Sequence, residues 1–185
     1  MTMKIIEYVT GVLGIAISII IYQQKERKNL LICKMISDII WGVQFYSTGK
    51  DTAAVMSAVA IFRELIYIIY ARKNKKVGVG WLIVFMTLAV SSSFVSLDGG
   101  VSFLIPAPLS ILAGTCSALS AFSFWLGVPR YSRRIVFPYS SSMIIYDIFG
   151  GHGQICWFGL LNESFSIISS VVGIIRIDIK KRKSA

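Results

Sequence analysis

The chain has 185 residues, 55% of them apolar and only 15% charged, with a mean hydropathy of +0.71. Soluble domains carry roughly 25% charged residues, mixed throughout, whereas here the charges stand in short clusters between long apolar runs, which excludes an ordinary soluble domain. A net charge of +10 would point a soluble protein towards nucleic acid, but the placement of the basic residues gives it a simpler cause and no nucleic-acid partner is expected.

Seven apolar runs approach or reach the roughly 20 residues that carry a helix across about 30 Å of hydrocarbon. In chain order they cover residues 5–23, 30–48, 52–71, 77–97, 103–126, 135–149 and 155–175. The runs are continuous and not alternating, so a spanning β-barrel is excluded. Glu7 follows Lys4 closely and no small-residue cleavage site ends the first run, so it reads as a span and not as a signal peptide. The fifth run opens with Pro106 and Pro108, where missing amide donors cost least. The sixth is the shortest, diluted by Pro138 and by Ser140, Ser141 and Ser142. The expected fold is therefore an all-α membrane protein, a single domain over residues 1–185.

Basic residues orient the spans. Lys25, Arg27 and Lys28 follow the first span, Arg72, Lys73, Lys75 and Lys76 the third, and Arg130, Arg133 and Arg134 the fifth. The tail, 177–185, adds Lys180, Lys181, Arg182 and Lys183 beyond Arg176, so these clusters hold 15 of the 19 basic residues. Seven alternating helices put all of them on one face, which the tendency of basic loops to stay inside makes cytoplasmic. The N-terminus then lies outside and the C-terminus in the cytoplasm. The outer connectors, near 47–51, 98–102 and 150–154, are too short to fold as a receptor or enzyme domain.

The layout also reads as a duplication. Residues 5–72 run as span, basic connector, span with an aromatic-glycine turn, span and basic end, and residues 103–176 repeat the plan. The turn Phe45-Tyr46-Ser47-Thr48-Gly49-Lys50-Asp51 matches Tyr146-Asp147-Ile148-Phe149-Gly150-Gly151-His152. Three helices end on the face opposite their start, so a parallel second copy needs one extra crossing, and 77–97 supplies that linker helix. Two parallel three-helix repeats joined by a linker are related by an axis along the membrane normal.

This 3+1+3 layout resembles the SWEET sugar transporters and the PnuC-type vitamin transporters. In order and spacing the chain is more similar to the YgjV-like family of small bacterial inner-membrane proteins. The matching stretches are Lys25-Glu26-Arg27-Lys28, Ala60-Ile61-Phe62-Arg63, Leu104-Ile105-Pro106, Glu163 and Ile174-Ile175-Arg176. The resemblance implies a multi-pass protein of the bacterial inner membrane. The Pro-Gln pair of the PQ-loop relatives is absent.

Ionisable groups inside the spans carry what functional signal there is. Each costs about 2.5–3.5 kcal/mol near the bilayer centre on insertion scales and persists where it pairs, lines water or works. Asp38 falls midway along the second span, Arg63 and Glu64 at the centre of the third and Glu163 near the centre of the seventh. Lys34 and Asp38, four residues apart, share a face and are expected to pair. Arg63 and Glu64, about 100° apart around the helix, are expected not to face each other. Arg63 is therefore expected to meet Glu163 across the repeat axis, with Asn162, Ser164 and Ser57 completing the layer, and Glu64 to stay unpartnered. The candidate substrate-binding set is Arg63, Glu64, Asn162, Glu163 and Asp38, for a small polar or cationic solute or a proton. The same pairs would serve equally as static clamps between helices.

Other features read as packing. Trp41, Trp125 and Trp157 fit aromatic belts. Ser110, Gly114 and Ala118, and Ser166 with Ser170, form small-residue ladders that let helices approach. Cys33, Cys116 and Cys156 lack metal-ligand spacing, and His152, the single histidine, lies in a turn. No catalytic motif, metal site or cofactor site is expected, so an enzyme is not. The expected function is a small-solute transporter or facilitator with a midplane site between the repeats; the alternative is a non-transporting scaffold or assembly partner. The lipid bilayer is the expected environment, and a homo-oligomer stays open.

Overall fold

The structure is a computed structural model that describes residues 2–49, 51–96, 102–103, 108–149 and 157–179. Cys156, His152, Lys50, Pro106 and the lysines of the tail lie outside the described residues. Among those described, the chain is helical apart from turns and one minimal strand pair: α1 (Thr2–Ile21), α2 (Arg27–Ser47), α3 (Asp51–Arg72), α4 (Val79–Ser91), α5 (Pro108–Trp125), α6 (Pro129–Phe149) and α7 (Trp157–Gly173). Four helical stretches are long and apolar enough to cross a membrane: Lys4–Ile21, Arg27–Ser47, Ala53–Arg72 and Trp157–Ile179.

Three boundaries differ from the sequence expectation. α4 gives way to a 3₁₀ turn (Ser92–Phe94) and then to β1 (Val95–Ser96), antiparallel to β2 (Ser102–Phe103), so neither the fourth nor the fifth run is helical to its expected limit. α6 is 21 residues long and begins at Pro129, six residues before the expected start. Gly127, at φ +71°, ends α5 in the left-handed conformation, and Pro129 then opens α6 where its missing N–H costs nothing. Arg130, Arg133 and Arg134 thus belong to a helix and not to a connector. α7 continues beyond Gly173 as a π-helical stretch, Ile174–Ile179, that folds Asp178 back onto the bundle.

α1 packs on α2 and α2 on α3, α5 packs on α6 and α6 on α7, and the seams α7–α1 and α3–α5 close a ring of six helices. α4 stands outside it, mainly against α5, where Gly114 and Ala118 are buried as a ladder would require. The helices turn their polar faces inward. Along α7 the buried positions are Gly159, Asn162, Glu163, Ser166, Ser169, Ser170 and Gly173, while Leu161, Phe165, Ile168 and Val172 are exposed. In lipid the apolar face is the solvated one, and small or polar residues make the contacts between helices. Inside the ring, an apolar cluster of Ile21, Leu30, Leu31, Tyr67, Ile68 and Phe124 with its neighbours fills the end that carries the basic connectors. At the opposite end the cluster is much smaller, built on Ala53, Met56, Ala113, Met143 and Tyr146.

Candidate functional site

Between these clusters the ring axis carries, among the described residues, a polar cavity in three lobes, and Lys34 of α2 and Tyr139 of α6 line all three. The largest, about 70 Å³, lies between α1, α2, α6 and α7 and is lined by Lys34, Asp38, Asp147 and Glu163 together with Tyr22 and Trp41. The second, about 50 Å³, reaches α3 and α5 and touches Arg63, Ser57 and Ser120. The third narrows to about 10 Å³ between Ser123, Ser132 and Phe124 at the basic end.

Lys34 and Asp38 form the expected i,i+4 ion pair, and Asp38 is an electrostatic neighbour of Glu64 across the α2–α3 seam. Arg63 and Glu64 overturn their expectation. The guanidinium curls back on its own helix, with Nη2 donating to Glu64 Oε1 at 2.6 Å and Nε donating to the same oxygen at 3.1 Å. The 100° between Cβ atoms is bridged by the length of the arginine chain, whose stem runs along apolar surface while its head seeks charge. The group also lies over the Phe124 ring, 5.6 Å from its centroid, a cation–π geometry. Arg63 therefore does not reach Glu163, and Glu64, paired through Oε1, lines none of the three lobes.

Glu163 instead accepts a hydrogen bond from its neighbour Asn162, Nδ2 to Oε1 at 3.0 Å. The Ser140 hydroxyl interacts with the same carboxylate, and the Asn162 Oδ1 has no hydrogen-bond partner. Ser164 is exposed and bonds only within its own turn, to the Leu160 carbonyl, so it takes no part in this layer. Trp41 is buried against the cavity and not in a belt, Trp125 donates to the Val77 carbonyl at 2.9 Å, and Trp157 is exposed.

Two buried positions escaped the sequence reading. Asp147, read there as a turn residue, is 1% exposed and faces the largest lobe. Gly159 of α7 leaves the space it occupies: a Cβ there would stand 2.7 Å from the Asp147 Cγ and Oδ1. Gly159→Ala is expected to displace that carboxylate and destabilise the protein by about 1–3 kcal/mol, the usual range for overpacking. Thermal unfolding in detergent measures it. Arg133 is the second. It is 1% exposed and ties three segments together, with Nε to the Tyr22 carbonyl at 2.9 Å, Nη2 to the Gln24 carbonyl at 2.7 Å and Nη1 to Asp178 at 2.8 Å. The repeat i, i+3, i+4 carries both, since Ser132, Arg133, Val136, Ser140, Met143 and Asp147 form one buried stripe of α6.

Comparison with known proteins gives this arrangement a family. A sequence model described as a bacterial inner membrane protein, Imp-YgjV, matches residues 5–181. The chain belongs to the Imp-YgjV family. Membership assigns it to the bacterial inner membrane, and the apolar outer face of the ring suits a lipid surrounding. No curated protein and no solved structure matches the chain.

Proposed function

We propose that the protein is a small-solute transporter or facilitator that crosses the membrane seven times, as two parallel three-helix repeats, with its site on the axis between them. The carrying observation is the polar cavity at the centre of the ring, lined by Asp38, Asp147, Glu163 and Asn162. Buried carboxylates facing open space are costly in a membrane bundle and mark solute or proton paths. The seams support the duplication: α1–α2 with α5–α6, α2–α3 with α6–α7, and α7–α1 with α3–α5 are the pairs a twofold axis would exchange. The thin apolar cluster at one end and the thick one at the other suit a site closed firmly towards the basic, cytoplasmic face. The same charge asymmetry supports an outer N-terminus and a cytoplasmic C-terminus.

A scaffold reading draws on the direct pairing of Arg63 with Glu64 and of Lys34 with Asp38, which satisfies those charges without a solute. Uptake into proteoliposomes, screened across amines, sugars, nucleosides and vitamins, separates the two. Saturable uptake of one class above protein-free vesicles is expected, and none across the screen would leave the scaffold. For topology, a C-terminal fluorescent reporter should light in the cytoplasm and an N-terminal tag should be reached by an impermeant protease from the periplasm. Both ends on one face would refute the seven-crossing layout.

A further inference from the structure

We propose that the largest lobe of the axial cavity binds a small organic ammonium ion, held by Glu163 and Asn162 and flanked by the rings of Trp41 and Tyr139. The assignment rests on the transport reading above, for which it names the solute class. A buried carboxylate and an unpartnered amide oxygen beside it lead to it. Glu163 and Asn162 line the lobe on side chains only 6% and 8% exposed, and the Asn162 Oδ1 has no hydrogen-bond partner. Buried acceptors call for a donor, and an ammonium group has three N–H donors and no acceptor.

Charge points the same way. Among the described residues, Lys34 faces the lobe with its nitrogen already engaged by Asp38, which leaves the charge of Glu163 without a paired cation. A cation entering beside Glu163 meets an excess of negative charge. A metal ion is the weaker fit, because no three His, Cys, Asp or Glu side chains among the described residues converge on one point, and a hard cation needs a shell of several oxygens. The walls are also aromatic, and the faces of Trp41 and Tyr139 attract a cation that carries carbon. Size completes the assignment. A water needs about 10–15 Å³ of such space, and pockets for drug-sized ligands run to about 300 Å³ or more. A lobe of about 70 Å³ takes a headgroup such as methylammonium or ethylammonium and has no room for a sugar.

The test titrates the purified full-length protein in nanodiscs with ethylammonium and follows tryptophan fluorescence, with sodium, tetramethylammonium and glucose as comparisons. A saturable change is expected with ethylammonium only. It should be lost in Trp41→Phe, which removes the reporting ring at the lobe. Glu163→Gln and Asn162→Leu should each weaken binding about ten- to hundredfold, while Glu26→Gln, on the surface, should not. If Glu163→Gln fails to fold, Asn162→Leu and the selectivity of the unaltered protein decide. No saturable response to ethylammonium, an equal response to sodium, or unchanged affinity in both variants would overturn the assignment. Ethylammonium binding without uptake into proteoliposomes would uphold the site and remove the transport reading. Uptake of a neutral solute without ammonium binding would do the reverse.

Discussion

Replacing Arg133 with methionine is expected to cost about 3–5 kcal/mol of stability, the range seen when one partner of a buried charged pair is removed. Methionine keeps the length and apolar stem but deletes three donors at once. The Tyr22 and Gln24 carbonyls at the end of α1 lose their partners, and Asp178, half of whose carboxylate is already without a hydrogen bond, loses its cation. Neighbouring contacts amplify the loss, since Ser170 Oγ donates to the Arg133 carbonyl at 2.5 Å and, across the α1–α7 seam, Gln23 Nε2 donates to the Ser169 carbonyl at 2.8 Å. Gly173 sits beneath the guanidinium, where a Cβ would stand 2.5 Å from the Tyr22 carbonyl oxygen. The α1–α7 seam therefore has no spare volume with which to heal. For a chain of this length the loss is a drop of on the order of 10 °C in Tm. Arg133→Lys should recover only part of it, because one ammonium cannot span the fork of three acceptors, and Asp178→Asn should be mild, because both carbonyl bonds survive. Thermal unfolding of the four proteins in one detergent checks the order. Equal stability of Arg133→Met and the unaltered chain would show that the seam is held by packing alone.

That clamp marks where the sequence was legible and where it was not. Continuous apolar runs ended by basic clusters are a one-dimensional signal, and α1, α2, α3 and α7 were readable from it because lipid forces the backbone into helix wherever it crosses. The same rule misread α6. Counting Arg133 as a loop cation moved the helix start to 135, although a cation one turn into a helix can bury itself if carbonyls from a neighbouring helix end meet it. The 3.6-residue stripe that holds Ser132, Arg133, Ser140 and Asp147 was present in the sequence and is stronger evidence than the charges. Glu163 and Asp38 were legible as buried charges and Asn162 as a hydrogen-bonding neighbour, and all three line the cavity. Arg63 and Glu64 were not placed correctly, because angular separation around a helix describes Cβ atoms and ignores a side chain long enough to turn back. The meeting of Asp147 with Gly159 is a contact between two helices, and no local pattern in either one encodes it.

The pairing of Arg63 with Glu64 carries the second large prediction, because it separates a structural charge from a working one. Both side chains are almost wholly enclosed, at 3% and 0% exposure, so Arg63→Met leaves a carboxylate with neither water nor its hydrogen-bonded cation. A loss of about 3–5 kcal/mol is expected, as for any buried pair broken on one side. The double variant, Arg63→Met with Glu64→Leu, removes both charges and should regain most of that loss, since apolar residues of similar volume often replace a buried pair at little cost. The cycle should therefore return a coupling well above the 0.3–0.5 kcal/mol scatter, about, of independent sites. Phe124 sets a limit on recovery, because its cation–π contact with Arg63 goes with the guanidinium. Solute binding in the double variant then decides the role of the pair. Since Glu64 lines none of the lobes and Arg63 borders only the second, the stable double variant should keep ethylammonium affinity within about threefold, a difference below 1 kcal/mol. A folded double variant that no longer binds would move the site from the α6–α7 side of the axis to the α2–α3 side, and the carboxylate that matters would be Glu64 and not Glu163.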